Sequence, residues 1–244
     1  DSPNPSAESQ RVYYRFLREV TSENPSLQIV IIAGNHDSAA RLEAPNPLLE
    51  DMNIIVRGTV RRNAEGDIDL QHFIVPLYTE GKVTAYCLAV PYLRQGDYPS
   101  AENYSKGVQQ LYEQLFNKVK EKGIPVVVMG HLQATGSEIS EDDRSERTVI
   151  GGLECVSPDA FNEAITYTAL GHLHRSQRVS HRENVRYSGT PMPMSFAEKN
   201  NASGVVMITI DTEGTNIEKL EFQPLAGLVS IPPEARPLRS EERR

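Results

Sequence analysis

Four of the six histidines in this 244-residue chain stand just beyond short apolar runs, and the runs share one pattern. "VIIAG" is followed by Asn35, His36 and Asp37, and "VVVMG" by His131. "YTALG" is followed by His172, with His174 two residues further on. Each time an apolar run meets a glycine and then a side chain that can ligate a metal or handle a proton. Imidazole nitrogen and amide oxygen suit Mn, Fe or Zn, and the lack of a nearby cysteine argues against a thiolate zinc site.

Taken singly, each stretch also has a plain structural reading. A histidine after a strand is often a turn residue bonded to backbone, and Asn-His-Asp can be an Asx-turn leading into a helix. His172 and His174, two apart in an extended segment, lie on the same face and can aim at one point. Three repetitions of the same strand ending favour a shared metal site over three unrelated turns. Its candidate ligands are Asn35, His131, His172 and His174, with His36 and Asp37 beside them. His72 and His181 occur in other contexts and read as surface or core residues. The acidic stretch around Glu141, Asp142 and Asp143 reads as solvated.

Separate strands can deliver such groups to one place only in a suitable fold. In α/β sheets, sites form beyond the carboxyl ends of the strands, and glycine there permits an abrupt turn or close backbone approach. The pattern predicts a helix near residues 6–21, with Asn4 and Pro5 as its cap and first turn and Tyr13, Phe16, Leu17 and Val20 on one face. A buried strand follows in "SLQIVIIAG", then a short helix within 38–52 limited by Pro45 and Pro47. "NIIVRG", "LQHFIVPLY" and "KVTAYCLAVPYL" read as strands, with "NAEGD" and "TEGK" as turns. From Gly107 the apolar period becomes helical, with Val108, Leu111, Tyr112, Leu115, Phe116 and Val119 on one face and Gly123 closing the helix. "IPVVVMGH" and "ITYTALGHLHR" read as buried strands. "VRYSGTP", "GVVMITID" and "IEKLEF" read as a run of antiparallel strands. The fold class is α/β.

Composition narrows the function classes. The 39% hydrophobic content supplies a core, and a net charge of −8 gives no bulk attraction for nucleic acid. Bound divalent ions can reverse the local field, so the charge does not exclude a phosphate substrate. No apolar run approaches the roughly 20 residues of a membrane span, and the polar start is unlike a signal peptide. The two cysteines, Cys87 and Cys155, each lie among apolar neighbours and read as reduced core residues of a cytoplasmic protein.

The ordered set GNHD, GH and GHxH resembles the calcineurin-like metallophosphoesterase superfamily. "IIAGNHDSAARL", "ALGHLHRSQ" and "VRYSGTPMPMSF" are similar to its branch of SbcD-type DNA nuclease subunits, over about Asp1 to Gly227. The resemblance implies two stacked mixed β-sheets flanked by helices, with the first strand or strands missing. It implies two divalent ions, usually Mn, that activate water for in-line attack on a phosphodiester. Asn35, His131 and His172 would ligate one ion and His174 the other. His36 would contact the phosphate or protonate the leaving oxygen, with Asp37 orienting its ring. The implied activity is exonuclease and hairpin endonuclease cleavage at double-strand DNA ends in repair and recombination. The implied partners are an SbcC-like SMC-type ATPase and a second copy of the full-length protein.

The family's upstream Asp-x-His and Gly-Asp ligands, including the carboxylate that bridges the ions, do not occur before Asn35. This reads as an N-terminal truncation. The expectation is a nuclease domain over 1–225, a linker or start of a capping domain over 226–244, and weak metal binding without nuclease activity from this chain alone. An uncovered strand edge predicts lower stability and aggregation. Two other functions stay open, a phosphoesterase for a small diester or phosphoprotein and a non-catalytic scaffold.

Overall fold

The computed structural model describes residues 2–137, 155–223 and 228–229. The acidic stretch at Glu141–Asp143 and most of the expected linker lie outside them. Helix α1 covers Ala7–Glu23 and is capped by Ser6, whose Oγ accepts from the Ser9 amide at 3.0 Å. The cap is therefore not Asn4. A hydroxyl placed three residues before a free amide satisfies one of the helix's orphan donors, which Asn4 is too far upstream to do. Leu17 is buried and Tyr13 packs beside it, but Phe16 is 58% exposed.

Strand β1 (Ile29–Ile32) runs into two short helices, α2 (Ala39–Glu43) and α3 (Asn46–Leu49), and returns as β2 (Ile54–Arg57), parallel to β1. The two prolines split the expected helix, as anticipated. Among the described residues β1 pairs with β2 alone. Its four residues are half-buried and not fully buried as the apolar run predicted. "LQHF" is a 3₁₀ turn over Leu70–Phe73, initiated by Asp69, and the strand begins only at Ile74. Within that turn His72 is buried, with Nε2 3.6 Å from Glu43. Exposed His181 sits in a tight turn at φ 62°.

The second sheet holds β3 (Ile74–Thr79), β4 (Lys82–Ala89), β5 (Val126–His131), β6 (Tyr167–Gly171), β7 (Gln177–Val179) and β8 (Arg182–Tyr187), in the order β3-β4-β5-β6-β8-β7. β4, β5, β6 and β8 are parallel, and the edge strands β3 and β7 are antiparallel to their neighbours. So β8 joins this sheet between β6, to which it is parallel, and β7, to which it is antiparallel, and does not run on into β9 and β10. Of the three stretches expected to run antiparallel, only β9 (Gly204–Asp211) and β10 (Gly214–Glu221) pair that way with each other. β8 is short and leads back from the β7 turn, so its pairing is decided by the sheet it returns to, which strand propensity does not encode.

Helix α4 (Tyr104–Val119) is capped by Asn103, whose side chain accepts from the Lys106 amide. All six apolar residues predicted for one face are buried. Four layers result. Leu17 of α1 packs with Leu49, Ile54 and Val56 on the outer face of the small sheet. Val30, Ile32 and Ile55 on its inner face meet Val75, Cys87 and Ala89 of the large sheet. The other face of the large sheet carries α4 through Leu88, Leu111, Leu115 and Val128. This is the stacked two-sheet α/β sandwich expected.

Cys87 sits in the inter-sheet layer, and burial pushes its thiol up to about 12. Cys155 is exposed, contrary to its expected place in the core. Its apolar neighbour Val156 takes the buried position, bridged to Ala134, and adjacent extended residues face opposite ways. No helix among the described residues is long and apolar enough to cross a membrane.

Candidate active site

The sheet register brings the strand ends together. His131 at the end of β5 lies opposite Gly171 at the end of β6. The carboxyl end of β1 is tied to the same region because Ala33 O accepts from the Tyr92 amide, just past β4, at 2.8 Å. Asn35 and His131, 96 residues apart, then meet, with His131 Nε2 2.9 Å from Asn35 Oδ1. The rings of His131 and His172 stand edge to face with centroids 5.4 Å apart. Behind β5, buried Tyr187 accepts from the Ala134 amide and donates to Leu132 O, which braces the segment leaving His131.

Of the two roles expected of the glycines, close approach is the one that Gly34 and Gly171 fill. A Cβ on Gly34 would sit 2.7 Å from His131 Cε1, and one on Gly171 would sit 2.9 Å from His131 Nδ1. They clear a slot for one imidazole ring. Gly34→Ala should therefore push His131 off Asn35 and destabilise the fold by roughly 1–3 kcal/mol, the usual cost of overpacking. Denaturant unfolding checks the second effect. Unchanged stability together with unchanged His131 ring resonances would remove the slot argument.

His131 is held neutral. Burial is the main cause, and charge on His172, His36 and His174 adds to it, so its pKa falls to about 3. An unfolded histidine titrates near 6.5, so between those limits the unfolded chain takes up a proton that the folded chain refuses. Stability from this group is complete above about 6.5 and is lost as pH falls toward 3. Metal-free protein should be about 2 kcal/mol less stable near pH 5 than near pH 7.5, at roughly 1.4 kcal/mol per pH unit. His131→Gln should flatten that difference. A pH slope equal to that of the unsubstituted protein would assign the acid lability elsewhere.

The remaining predicted residues surround this pair. His36 is exposed, and Asp37 Oδ2 accepts from the Gly34 amide at 2.7 Å, closing the turn that carries Asn35 and His36. His172 has a φ of 104°, a region that residues with a Cβ seldom occupy. His174 Nδ1 is 2.8 Å from the Glu198 carboxylate. Among the described residues no three His, Cys, Asp or Glu side chains stand close enough together to hold a metal ion by themselves.

A divalent cation fits the donors in kind. A neutral imidazole and an amide oxygen already converge at His131 and Asn35, and both can offer lone pairs once the ring proton rests on Nδ1. His172 is the third group within reach of the pair. Negative charge is what this set lacks. Sequence reasoning missed three neighbours. The Tyr92 ring packs edge-on to His131, Arg94 lies over Tyr92 at 5.7 Å, and Glu198 holds His174. "AVPYLR" carried a faint signal, since it also continues past the carboxyl end of a buried strand.

With this geometry in place, sequence comparison is informative. The chain matches no family model. It is 38% identical to the SbcD component of the SbcCD nuclease from Rhodobacter capsulatus, over 86% of this chain and 54% of that protein. The chain is related to the SbcD-type nuclease subunits. The SbcD protein of Escherichia coli K12 is 27% identical over 93% of this chain and 58% of its own length. That of Bacillus subtilis 168 is 26% identical over 85% and 53%. The chain thus spans about half the length of the SbcD-type relatives it matches.

Proposed function

We propose that this chain carries the nuclease centre of an SbcD-type enzyme that cleaves phosphodiester bonds at DNA double-strand ends. The observation that carries the reading is the meeting of Asn35 and His131 from different strands beside His172. Asn35 Oδ1, His131 Nε2 and His172 would hold one divalent ion and His174 would serve a second, with manganese the metal of choice. Ions there would supply charge stabilisation and an activated water.

The chain's own groups do the rest. His131, neutral and clamped between glycines, needs no net loss of a proton to ligate, only the shift of its ring proton from Nε2, where it meets Asn35 Oδ1, to Nδ1. His36 is exposed beside Asn35 and free to meet a scissile phosphate, where its imidazolium gives a proton to the leaving oxygen. The Asp37–Gly34 hydrogen bond fixes the turn, so Asn35 and His36 are presented together, and Asp37 steadies the His36 ring. Arg94, stacked on Tyr92, offers a cation to a neighbouring phosphate. The relatives are named as subunits of SbcCD, which supports an SbcC-type partner; that this partner is an ATPase and that the working form is a homodimer belong to the same proposed reading.

The donors in this chain are neutral, and tight binding of two dications calls for carboxylates as well. Residues 1–244 alone are therefore proposed to be weak in metal binding and inactive. The test is manganese-dependent cleavage of end-labelled duplex DNA by the full-length protein with its ATPase partner, beside a generic phosphodiester. Cleavage of the small diester with no action on duplex ends would replace the reading with a small-substrate phosphoesterase. Manganese binding without hydrolysis of either would leave a scaffold.

A further inference from the structure

The stretch "YSGTPMPMSFAE", residues 187–198, contributes no residue to the proposed chemistry, yet it is organised around one of the histidines. The Thr190 amide donates to His174 O at 3.0 Å. Gly189 lies so close to the same segment that a Cβ would meet His174 O and the Ser176 nitrogen, each at 2.8 Å. A short 3₁₀ turn, Phe196–Glu198, then returns Glu198 to the histidine, and its Oε1 lies 2.8 Å from His174 Nδ1.

Glu198 is buried, and both of its oxygens are engaged. Oε2 accepts from the Met194 amide at 2.9 Å and from the Thr190 hydroxyl at 3.5 Å. Its backbone takes part too, since Glu198 O accepts from the Asn201 amide at 2.8 Å. A carboxylate has no proton to give, so the Nδ1 contact requires the histidine to donate. The carboxylate is thereby locked in place by the loop, and it locks the imidazole in turn.

We propose that Glu198 is the positioning residue for His174, holding it as the Nδ1–H tautomer so that Nε2 is the nitrogen that ligates. The 187–198 loop is the bracket that holds Glu198. A carboxylate behind an imidazole fixes the ring's orientation and raises its basicity, and loss of such a partner typically weakens metal binding by roughly 10–100-fold. The inference rests on His174 being a metal ligand, as proposed above.

The experiment uses the full-length protein. In metal-free protein above the histidine titration range, nitrogen–proton correlation spectra assign the His174 tautomer. Nδ1–H is expected, and Glu198→Ala should shift the ring toward an Nε2–H mixture while Glu198→Gln keeps part of the native signal. Manganese affinity, read by electron paramagnetic resonance of the free ion, should fall by roughly 10–100-fold in Glu198→Ala and less in Glu198→Gln. Melting temperatures identify any variant that fails to fold, in which case Glu198→Gln carries the test.

An Nε2–H tautomer in the unsubstituted protein would overturn the proposal. So would unchanged manganese affinity in Glu198→Ala when His174→Ala abolishes it. If His174→Ala itself leaves manganese binding intact, the ligand assignment fails, and this role for Glu198 falls with it. The two failures are therefore distinguishable.

Discussion

Replacing His36 by alanine in the full-length protein should lower cleavage of duplex DNA ends by roughly 10²–10⁴-fold, the range for removing a positioned acid, and leave manganese affinity unchanged. The two halves of this expectation come from position. His36 is exposed at the turn, next to a donor whose amide oxygen already engages His131. A side chain that faces solvent at a metal edge can meet substrate without being part of the metal's coordination. Its loss should remove proton delivery to the leaving oxygen and spare the ligands. The alkaline limb of the pH–rate profile gives a second check, because only the protonated ring can donate and the rate falls where that proton is lost. A substrate with a leaving group that needs no proton should recover most of the lost rate in His36→Ala. If cleavage of duplex ends persists at the unsubstituted level, the acid lies elsewhere. If manganese affinity collapses as well, His36 is a ligand.

Much of this site is legible in the residues alone. Three apolar runs ending in glycine and then a donor can be aligned by eye, and the sheet register places two of them, His131 and Gly171, directly opposite one another. A period-two run or a continuous apolar run says where a strand ends, and parallel strands in an α/β sheet end on one side. The helical face of α4 is equally clear, because six apolar residues at helical spacing can be buried in only one way.

What stays hidden is pairing and contact. Strand pattern does not say which neighbour β8 will choose. The "LQHF" stretch has strand-like composition, yet Asp69 accepts from the Gln71 amide and starts a 3₁₀ turn, so a local side-chain bond outweighs propensity. For Gly34 and Gly171 the need for close approach is legible, but not that the approaching group is one imidazole ring, His131. Glu198 illustrates the same limit. It stands 24 residues from His174 in a segment with no chemical grammar of its own, and only the fold makes them partners.

The second large effect concerns His172. Its φ of 104° puts a Cβ-bearing residue where the backbone resists one, at the end of the strand that faces His131. Strain of this kind costs on the order of 1–3 kcal/mol and persists where surrounding structure enforces it. His172→Ala removes the ring and keeps the strain. His172→Gly removes both, and gives back roughly 0.5–1 kcal/mol through the greater freedom of glycine in the unfolded chain. The glycine variant should therefore be about 1 kcal/mol more stable than the alanine variant, by denaturant unfolding of metal-free protein at neutral pH. In the full-length protein both variants should lose manganese binding and cleavage of duplex ends to the same degree, since neither supplies a donor. An alanine variant as stable as the glycine variant would show that the backbone at 172 is relaxed. Retained manganese affinity in either would take His172 out of the ligand set. A gain in stability tied to a loss of binding would mean that strand β6 stores strain at its end to deliver an imidazole where an unstrained strand would not.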